Sequence, residues 1–434
     1  MPQVVLYFAG WNLNRDGRQH TGEVCSLPWE YVSGVNHAFW AVEPADGAPE
    51  SSFARKKRGA PARTAWRLVP LHPECDEGDT RPSTVCPELP RSHFAQYAAL
   101  HARWPEVQIL LSIGGWTRCG YFSEMAHTPE GRAGFIKECL ALLRRRPWLA
   151  GLDIDWEYPA CVRAADESDP DGDEGCCVFG TPEEDRAHFT ALLRELRAAM
   201  DGAFGKDVKK LTACASGAPY TLLRQDWTGA APYLDQINLM TYDLAGMWDG
   251  VSGHASCAAK AARAAEFLME KGVPAEKLCI GTPLYASAMR LCALPEAGAD
   301  TVGADTVGAA VEPERPTRAL LTQARLRELE AEAVSGYTLR QENGRFFIDS
   351  RFDRGGRGWH MEYSEQDGAA WMYNDDPDSP YARWFLSYEN PLSLQKKLDW
   401  ILEKKLAGLI VWEADEDTEQ FEFLAQMDAR LREK

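Results

Sequence analysis

The chain has 434 residues, 45% of them hydrophobic, and a formal net charge of −18. That length suits a large barrel carrying an added unit better than one small domain. The acidic balance argues against nucleic acid or an anionic membrane as a partner, because both attract basic surfaces, and it favours a neutral or cationic substrate. We also expect no membrane span, since no run of about 18 apolar residues occurs.

The chain starts with MPQVVLYFAGW, which is short and aromatic and has no basic leader. This pattern predicts a first strand rather than a signal peptide. The localisation stays open between the cytoplasm and a secreted protein that has been trimmed.

Short apolar runs alternate with amphipathic helical patterns along the chain. Such alternation is typical of a parallel sheet covered by helices, and eight units indicate a closed (β/α)8 TIM barrel of the α/β class. The eight candidate strands are Val4–Trp11, Val35–Val42, Val107–Trp116, Leu149–Tyr158, Leu211–Gly217, Gln236–Tyr242, Leu278–Leu284 and Ala407–Trp412.

Helix starts and one large insertion can be read from local signals. Thr181 followed by Pro182 and Glu184 forms a capping-box pattern, and Asn390 before Pro391 is a second helix start. Between the seventh strand and that second start lie about a hundred residues, far more than a barrel loop needs. The motifs GRFFIDSRF and GAAWMYN in this stretch look like strands, and RWFLSYE is expected to return the chain to the barrel.

The predicted domains are therefore a catalytic barrel, residues 1–287 and 379–434, and a small α+β insertion domain, residues 288–378. The small-residue repeat Ala299–Ala309 is expected to be flexible. The stretch Pro44–Leu89, rich in proline, charge and cysteine, predicts a second long loop that covers the barrel mouth or is partly disordered.

The cysteines and one acidic loop raise the question of metal binding and disulfides. No cysteine spacing matches a strong zinc pattern, so disulfides or a metal clip stay open for the loop cysteines, and unbridged thiols are expected. The acidic segment Asp166–Gly175 departs from the EF-hand order and predicts a solvated loop, with a calcium site as the alternative. The loop cysteines are Cys75, Cys86, Cys161, Cys176 and Cys177, and those in apolar segments are Cys139, Cys214 and Cys279.

Three carboxylates occupy alternate positions of the fourth candidate strand: Asp153, Asp155 and Glu157. Alternate residues share one face of a strand, so these acids point into the barrel while the apolar residues between them meet the helices. Crowded, buried carboxylates force their pKa values apart, so that one of them holds a proton near neutrality, as a general acid requires. The alternatives are a structural polar network and a Mg²⁺ or Ca²⁺ site, although a straight strand spreads the three acids widely for one ion.

At this point the sequence resembles glycoside hydrolase family 18, the chitinases. GLDIDWEYP looks like the family signature, and further motifs follow in the family's order over essentially the whole chain. These motifs are LYFAGW, VNHAFWA, LLSIGGW, LMTYDLAG, FLSYENPLSLQKK and LAGLIVWEADED. Two departures are Ala150, where the family often has an aspartate, and Tyr285–Ser287, which reads YAS where the family's insertion domain usually opens with YGR.

The resemblance implies roles for the site residues. Glu157 is expected to be the general acid and base, and Asp155 to orient the 2-acetamido group of the substrate, which itself attacks the anomeric carbon. Asp153 is expected to share a proton with Asp155, while Tyr242 holds the acetamido carbonyl and Asp243 adds a hydrogen bond.

The same resemblance implies the substrate-binding residues. Trp412 is expected to form the floor beneath the sugar at the cleavage point, with Trp116 and Trp248 stacking on neighbouring sugars, although for an isolated tryptophan core packing is the common alternative. The remaining candidates are Tyr7 and Ser112, which support Asp153, and Phe39, Met240 and Tyr285.

The sequence thus predicts a retaining hydrolase of β-1,4-linked N-acetylglucosamine in chitin or its oligosaccharides. Alternatives are a family 18 glucosaminidase acting on peptidoglycan or N-glycan cores, and a sugar-binding lectin that has kept the fold. No cofactor and no metal are expected. The partner is an N-acetylglucosamine-containing oligosaccharide or polysaccharide, and we expect a monomer.

Overall fold

A computed structural model of the chain gives its architecture. It describes residues 1–14, 21–47, 50–167, 169, 172–294, 306–312, 323, 326–327, 339–342, 345–348, 359–379 and 381–433. In chain order the strands are β1 (Gln3–Ala9), β2 (Gly34–Pro44), β3 (Trp66–Pro70), β4 (Gln108–Gly114), β5 (Gly151–Asp155), β6 (Lys210–Ser216), β7 (Gln236–Met240), β8 (Leu278–Pro283), β9 (Ser287–Arg290), β10 (Leu339–Glu342), β11 (Arg345–Ile348), β12 (Trp359–Ser364), β13 (Ala369–Asn374), β14 (Trp384–Tyr388) and β15 (Gly408–Trp412).

Eight parallel strands close into a barrel, which confirms the predicted fold class. The order around the ring is β1, β2, β4, β5, β6, β7, β8 and β15, and β15 pairs with β1 again. All eight candidate strands of the sequence form barrel strands. Their C-terminal ends lie at one mouth, which is where barrel enzymes carry their active sites.

Helices cover the outside of the barrel, and the predicted caps are present. Thr181 and Glu184 form a reciprocal capping box at the start of a long helix, and the Asn390 side chain caps another. None of the helices in the described part of the chain has the length and apolar character needed to cross a membrane. The helices are α1 (Ser52–Lys57), α2 (His93–Arg103), α3 (Phe122–His127), α4 (Pro129–Arg145), α5 (Pro182–Phe204), α6 (Pro219–Leu222), α7 (Trp227–Ala230), α8 (Ala258–Glu270), α9 (Pro391–Lys404) and α10 (Glu422–Arg432).

The two faces of each barrel strand pack into different cores. On β5, Leu152 and Ile154 lie in the large core between the strands and the helices. The barrel interior holds a smaller, more aromatic cluster that includes Tyr7, Phe39 and Tyr242. This division follows from the alternation of side chains along a strand, and it leaves the polar face of β5 directed at the mouth.

The motifs GRFFIDSRF and GAAWMYN each contain a strand, as predicted. Strands β12, β13, β14 and β9 form a four-stranded antiparallel sheet, and β10 pairs with β11. The return segment RWFLSYE is itself strand β14, so this sheet extends beyond the predicted domain boundary at residue 378. The repeat Ala299–Ala309 lies largely outside the described residues.

The prediction that Pro44–Leu89 is a long loop is wrong in that the stretch contains regular elements, although its His72 does reach Trp11 at the barrel mouth, at a ring distance of 6.0 Å. The stretch contains helix α1, strand β3 and a short π-helical turn, Glu74–Gly78. Strand β3 pairs antiparallel with the long strand β2 and extends the barrel sheet by one strand. The alternating pattern WRLVP was too short to stand out among the prolines and charges around it. None of the twelve cysteines, all of which lie within the described residues, forms a disulfide bond.

Candidate active site

The three acids of the ladder lie at the C-terminal end of β5. Asp153 and Asp155 belong to the strand, and Glu157 follows it directly. Their exposed fractions are 0%, 3% and 8%. Because the carboxylates are buried together, their protonation states depend on burial and on each other's charge.

Asp153 is the most fully hydrogen-bonded of the three. Its Oδ2 accepts hydrogen bonds from Tyr7 Oη and Ser112 Oγ, both at 2.8 Å. Its Oδ1 accepts from Thr212 Oγ1 at 2.5 Å and from Asn238 Nδ2 at 3.1 Å. Cys214 Sγ adds a fifth, longer contact to Oδ2 at 3.5 Å, so protein donors hold both oxygens of Asp153. Tyr7 and Ser112 therefore occupy the supporting positions expected of them, and Thr212 and Asn238 are additional supports on β6 and β7.

Asp155 differs from Asp153 in having an unsatisfied oxygen. Its Oδ1 is buried without a hydrogen-bond partner. Burial, followed by the charges of Glu157 and Asp153, raises the pKa of Asp155 well above its usual value. Burying a polar atom without a hydrogen-bond partner costs free energy. A ligand group that donates a hydrogen bond to Asp155 Oδ1 therefore gains more binding free energy than it would at an exposed carboxylate.

Glu157 has the protonation behaviour of a general acid. Burial raises its pKa from 4.5 to about 7, and the charge of Asp243 adds to the rise. A hydrogen bond from Tyr158 and the positive charge of Arg163 oppose it. A carboxyl group of this pKa can give up and take back a proton at neutral pH.

The end of β5 is held in place by a close approach of β4. A Cβ at Gly114 would stand 2.1 Å from the Asp155 carbonyl oxygen, so only glycine fits. Gly115 N–H donates to the same carbonyl at 2.9 Å. The Glu157 amide donates to Cys119 Sγ at 3.0 Å. Sequence reasoning missed Cys119, because a lone cysteine in a loop carries no signal of this contact.

An aromatic floor adjoins the acids. The rings of Trp412 and Phe39 stack at a centroid distance of 5.7 Å with an interplanar angle of 17°, and Tyr7 lies 5.7 Å from Trp412. Trp11 lies 6.3 Å from both Phe39 and Trp412. Trp11 was not among the predicted site residues, although its position just after β1 at the barrel mouth was a usable signal.

The end of β7 contributes a second group of predicted residues. Met240 and Tyr242 are buried in the inner cluster. Burial, with the charges of Cys214, Asp155 and Glu157, raises the pKa of Tyr242 well above its usual value, so its hydroxyl stays protonated and available as a donor. Asp243 accepts a hydrogen bond of 2.7 Å from Tyr285 Oη. Although YAS differs from the family's YGR, its Tyr285 still makes one polar contact at the site, with Asp243.

Two predicted sugar-stacking tryptophans are exposed. Trp248 is 67% and Trp116 is 50% accessible, which is unusual for core residues and suits a binding surface. The Arg163 guanidinium lies 4.0 Å from the centre of the Trp116 ring and pairs with Asp173. The expectation that the acidic loop Asp166–Gly175 is solvated is wrong for Asp173, which is buried and paired with Arg163.

The geometry favours proton transfer over metal binding at the ladder. Both oxygens of Asp153 already accept hydrogen bonds from protein donors. Within the described residues the ligand atoms of these three acids do not converge closely enough to share one ion. A buried acid that titrates near neutrality, an unsatisfied carboxyl oxygen and an aromatic floor together fit a polar ring-shaped substrate.

Comparisons with known proteins agree with this geometry. The family model for glycosyl hydrolases family 18 matches residues 3–417. Chitinase A1 of Niallia circulans is 27% identical over 448 residues, covering 96% of this chain and 56% of that protein. Endochitinase of Manduca sexta is 27% identical over 431 residues, covering 96% of this chain and 64% of that protein. The chain thus spans about half to two thirds of the length of these relatives.

Solved structures share the fold over the full length of the chain. The group IV chitinase of Ostrinia furnacalis superposes with a TM-score of 0.72 at 21% identity, over 100% of both chains. The same protein has been solved in complex with allosamidin, with a TM-score of 0.71 to this chain, at 21% identity and over 99% of both chains.

Proposed function

The chain belongs to family 18 of the glycosyl hydrolases, and from that premise we propose that it cleaves β-1,4 linkages between N-acetylglucosamine units with retention at the anomeric carbon. The observation that carries the proposal is the pairing of Glu157, whose pKa burial raises to about 7, with the unsatisfied buried oxygen of Asp155. Glu157 supplies a proton, and the unsatisfied oxygen of Asp155 can accept a hydrogen bond from a donor such as an acetamido N–H.

The first step uses the substrate as its own nucleophile, the route by which family 18 departs from two-carboxylate glycosidases. Glu157 gives its proton to the glycosidic oxygen, and the acetamido carbonyl oxygen attacks the anomeric carbon as the glycosidic bond breaks. The products of this step are a shortened sugar chain and an oxazolinium ion. Asp155 accepts the acetamido N–H and stabilises the positive charge, while Tyr242 donates to the acetamido oxygen.

The second step reverses the proton transfer. Glu157, now a carboxylate, takes a proton from water, and the oxygen of that water attacks the anomeric carbon and opens the oxazolinium ring. Two inversions at one carbon give overall retention. Asp153, held at both oxygens by protein donors, keeps its orientation beside Asp155 through both steps.

Turnover of a fluorogenic chitobioside tests the proposal. We expect release of the fluorophore by the wild type and inhibition by a thiazoline analogue of the oxazolinium intermediate. A wild type as inert as its Glu157→Gln variant would favour the lectin alternative. Turnover without inhibition by the thiazoline would count against substrate assistance. Products from defined chitin, peptidoglycan and N-glycan fragments separate the substrate alternatives.

The pH profile gives a prediction specific to Glu157. Because the acid must be protonated, we expect kcat/KM to be highest below about pH 7 and to fall about tenfold per pH unit above it. Asp243→Asn removes a charge that raises the pKa, and should move this limb to lower pH. Tyr158→Phe removes a hydrogen-bond donor that lowers the pKa of Glu157. This variant should move the limb to higher pH. Shifts in the same direction would contradict the assignment of this limb to Glu157.

The aromatic floor gives a second prediction, about Trp412. Trp412→Ala should lower kcat/KM by roughly 10- to 200-fold through loss of an apolar contact with the sugar. Trp412→Phe keeps a ring that can stack on Phe39 and should recover most of the loss. Steady-state kinetics on chitooligosaccharides measure both variants. Equal losses in the two variants would show that stacking is not the function of this residue.

A further inference from the structure

Three metal-ligating side chains converge outside the barrel, on the face of β2 that is covered by helix α2. They are His37 of β2, Asp76 of the π-helical turn and His93 at the start of α2. Their ligating atoms lie within 4.8 Å of one another, and the residues are 1%, 1% and 0% exposed. The proposed sugar chemistry makes no use of this cluster.

The atoms that face one another are two ring nitrogens and a carboxylate oxygen. His37 Nε2 lies 2.8 Å, and His93 Nδ1 3.3 Å, from Asp76 Oδ1. Ligands about 2.1 Å from a tetrahedral ion lie roughly 3.4 Å apart. The 3.3 Å separation already fits such a site, and the 2.8 Å separation would widen when an ion binds. His37 Nε2 is buried and has no partner of hydrogen-bond geometry, despite its short distance to Asp76.

The far side of each ligand is held by another group. His93 Nε2 lies 3.1 Å from the Gly22 carbonyl oxygen, and His37 Nδ1 lies 3.4 Å from Tyr97 Oη. Asp76 Oδ2 accepts a 2.8 Å hydrogen bond from the Trp40 indole. Outer partners of this kind orient the ligands of protein metal sites and select the nitrogen that binds the ion. Here they leave His37 Nε2, His93 Nδ1 and Asp76 Oδ1 facing inward.

The hydrogen bonding of His93 is incomplete if the cluster holds only neutral imidazoles. Both of its ring nitrogens face oxygen atoms, Gly22 O and Asp76 Oδ1, yet a neutral imidazole has only one N–H to donate. Either a second proton or a cation on Nδ1 resolves the conflict. The convergence of the three ligand atoms favours the cation, because His37 Nε2 faces the same carboxylate oxygen as His93 Nδ1 and one ion can contact all three.

We propose that His37, Asp76 and His93 bind one divalent transition-metal ion with a water molecule as the fourth, tetrahedral ligand, and that the ion stabilises the fold. Two imidazoles and a carboxylate suit Zn²⁺. Asp76 belongs to the turn that follows β3, and Gly22 precedes the short helical turn Val24–Ser26. The ion links the turn to β2 and α2 through its ligand Asp76. It links the Gly22 segment indirectly, through the contact of Gly22 with the ligand His93. His37 lies two residues before Phe39, so the site also supports the strand that carries part of the aromatic floor.

Metal analysis of wild-type protein made without a histidine tag tests the proposal. After chelation and gel filtration, titration with Zn²⁺ should show about one equivalent bound per chain and raise the Tm by several degrees, because the ion binds the folded state. Co²⁺ in its place should give the visible absorption bands of a tetrahedral site. These readouts do not depend on sugar hydrolysis, so failure of the proposed function would leave them intact.

His93→Gln is the diagnostic variant, and His101→Gln on the same helix is its control. The first should lose the Zn²⁺-dependent rise in Tm and the cobalt bands, and the second should keep both. Wild-type protein that binds well under a tenth of an equivalent, with no change in Tm, would overturn the proposal in favour of an imidazolium–carboxylate pair. Because this outcome is measured on the wild type, it does not depend on whether His93→Gln folds.

Discussion

Glu157→Gln should lower kcat on chitooligosaccharides by at least about 10³-fold, because glutamine can neither protonate the leaving oxygen nor deprotonate water. The side chains match in size, so the aromatic floor and the Asp153 network should stay in place. A substrate with an acidic phenol as leaving group needs less protonation in the first step. On such a substrate we expect a smaller loss, and comparison of the two substrates assigns the acid role to Glu157.

A suitable control for this variant is Glu174→Gln. Burial also raises the pKa of Glu174 to about 7, but this residue pairs with Arg118 in a loop outside the ladder. Its replacement should leave kcat nearly unchanged. If both variants lost activity to the same extent, a raised pKa alone would not identify the catalytic acid, and the assignment would have to be withdrawn.

Thermal stability provides an internal check on Glu157→Gln. Burial raises the pKa of Glu157 from 4.5 to about 7, so the native protein binds this proton more tightly than the unfolded chain. Its contribution to stability is present at acidic pH and is lost as the pH rises through about 7. At about pH 8 the glutamine variant should therefore have a Tm equal to or above that of the wild type. A lower Tm would indicate disruption of the fold rather than loss of an acid.

The barrel and the ladder could be predicted because they depend on local periodicity. Eight apolar runs separated by helical patterns determine the closed sheet, and the two-residue repeat places Asp153, Asp155 and Glu157 on one face. Glycines in GGW and the Thr181 and Asn390 caps are equally local signals. Each of these features depends on residues close together in sequence, so physical rules for strands and helices are sufficient.

Other parts of the site depend on contacts between residues far apart in sequence. Thr212 donates to Asp153 from the neighbouring strand and Asn238 from the strand after it, and Cys119 accepts the Glu157 amide from a loop after β4. Nothing in their local sequence distinguishes them from ordinary core or loop residues. Strand register around the barrel brings them together, and that register is visible only in three dimensions.

The proposed metal cluster is the clearest example of this limit. No metal was expected, because the sequence has neither a zinc-type cysteine spacing nor an EF-hand order. His37, Asp76 and His93 come from a strand, a π-helical turn and a helix start, with no regular spacing. Asp76 and its turn also lie within Pro44–Leu89, the stretch that was expected to be an irregular loop.

The second large effect is expected for Asp155→Asn. Asparagine keeps the size of the side chain, but its amide cannot provide the negative charge that stabilises the oxazolinium ion, and its NH2 can point at the acetamido N–H. We expect kcat to fall by about 10²- to 10³-fold, as for loss of one preorganised electrostatic contact. The affinity for the thiazoline analogue should fall by a similar factor, measured by inhibition on residual turnover or by calorimetry.

The free energy of unfolding separates this effect from damage to the fold. Burial and two neighbouring acids raise the pKa of Asp155, so the wild-type carboxyl group loses its contribution to stability as the pH rises above the usual range for an aspartate. Removing the ionisable group should leave the neutral-pH Tm unchanged or higher. Asp235→Asn, which alters a carboxylate paired with Lys210 at the opposite end of the barrel, is the control and should retain kcat. Asp155→Asn with full thiazoline affinity would show that this carboxyl group does not contact the acetamido arm, and would remove the main support for substrate assistance.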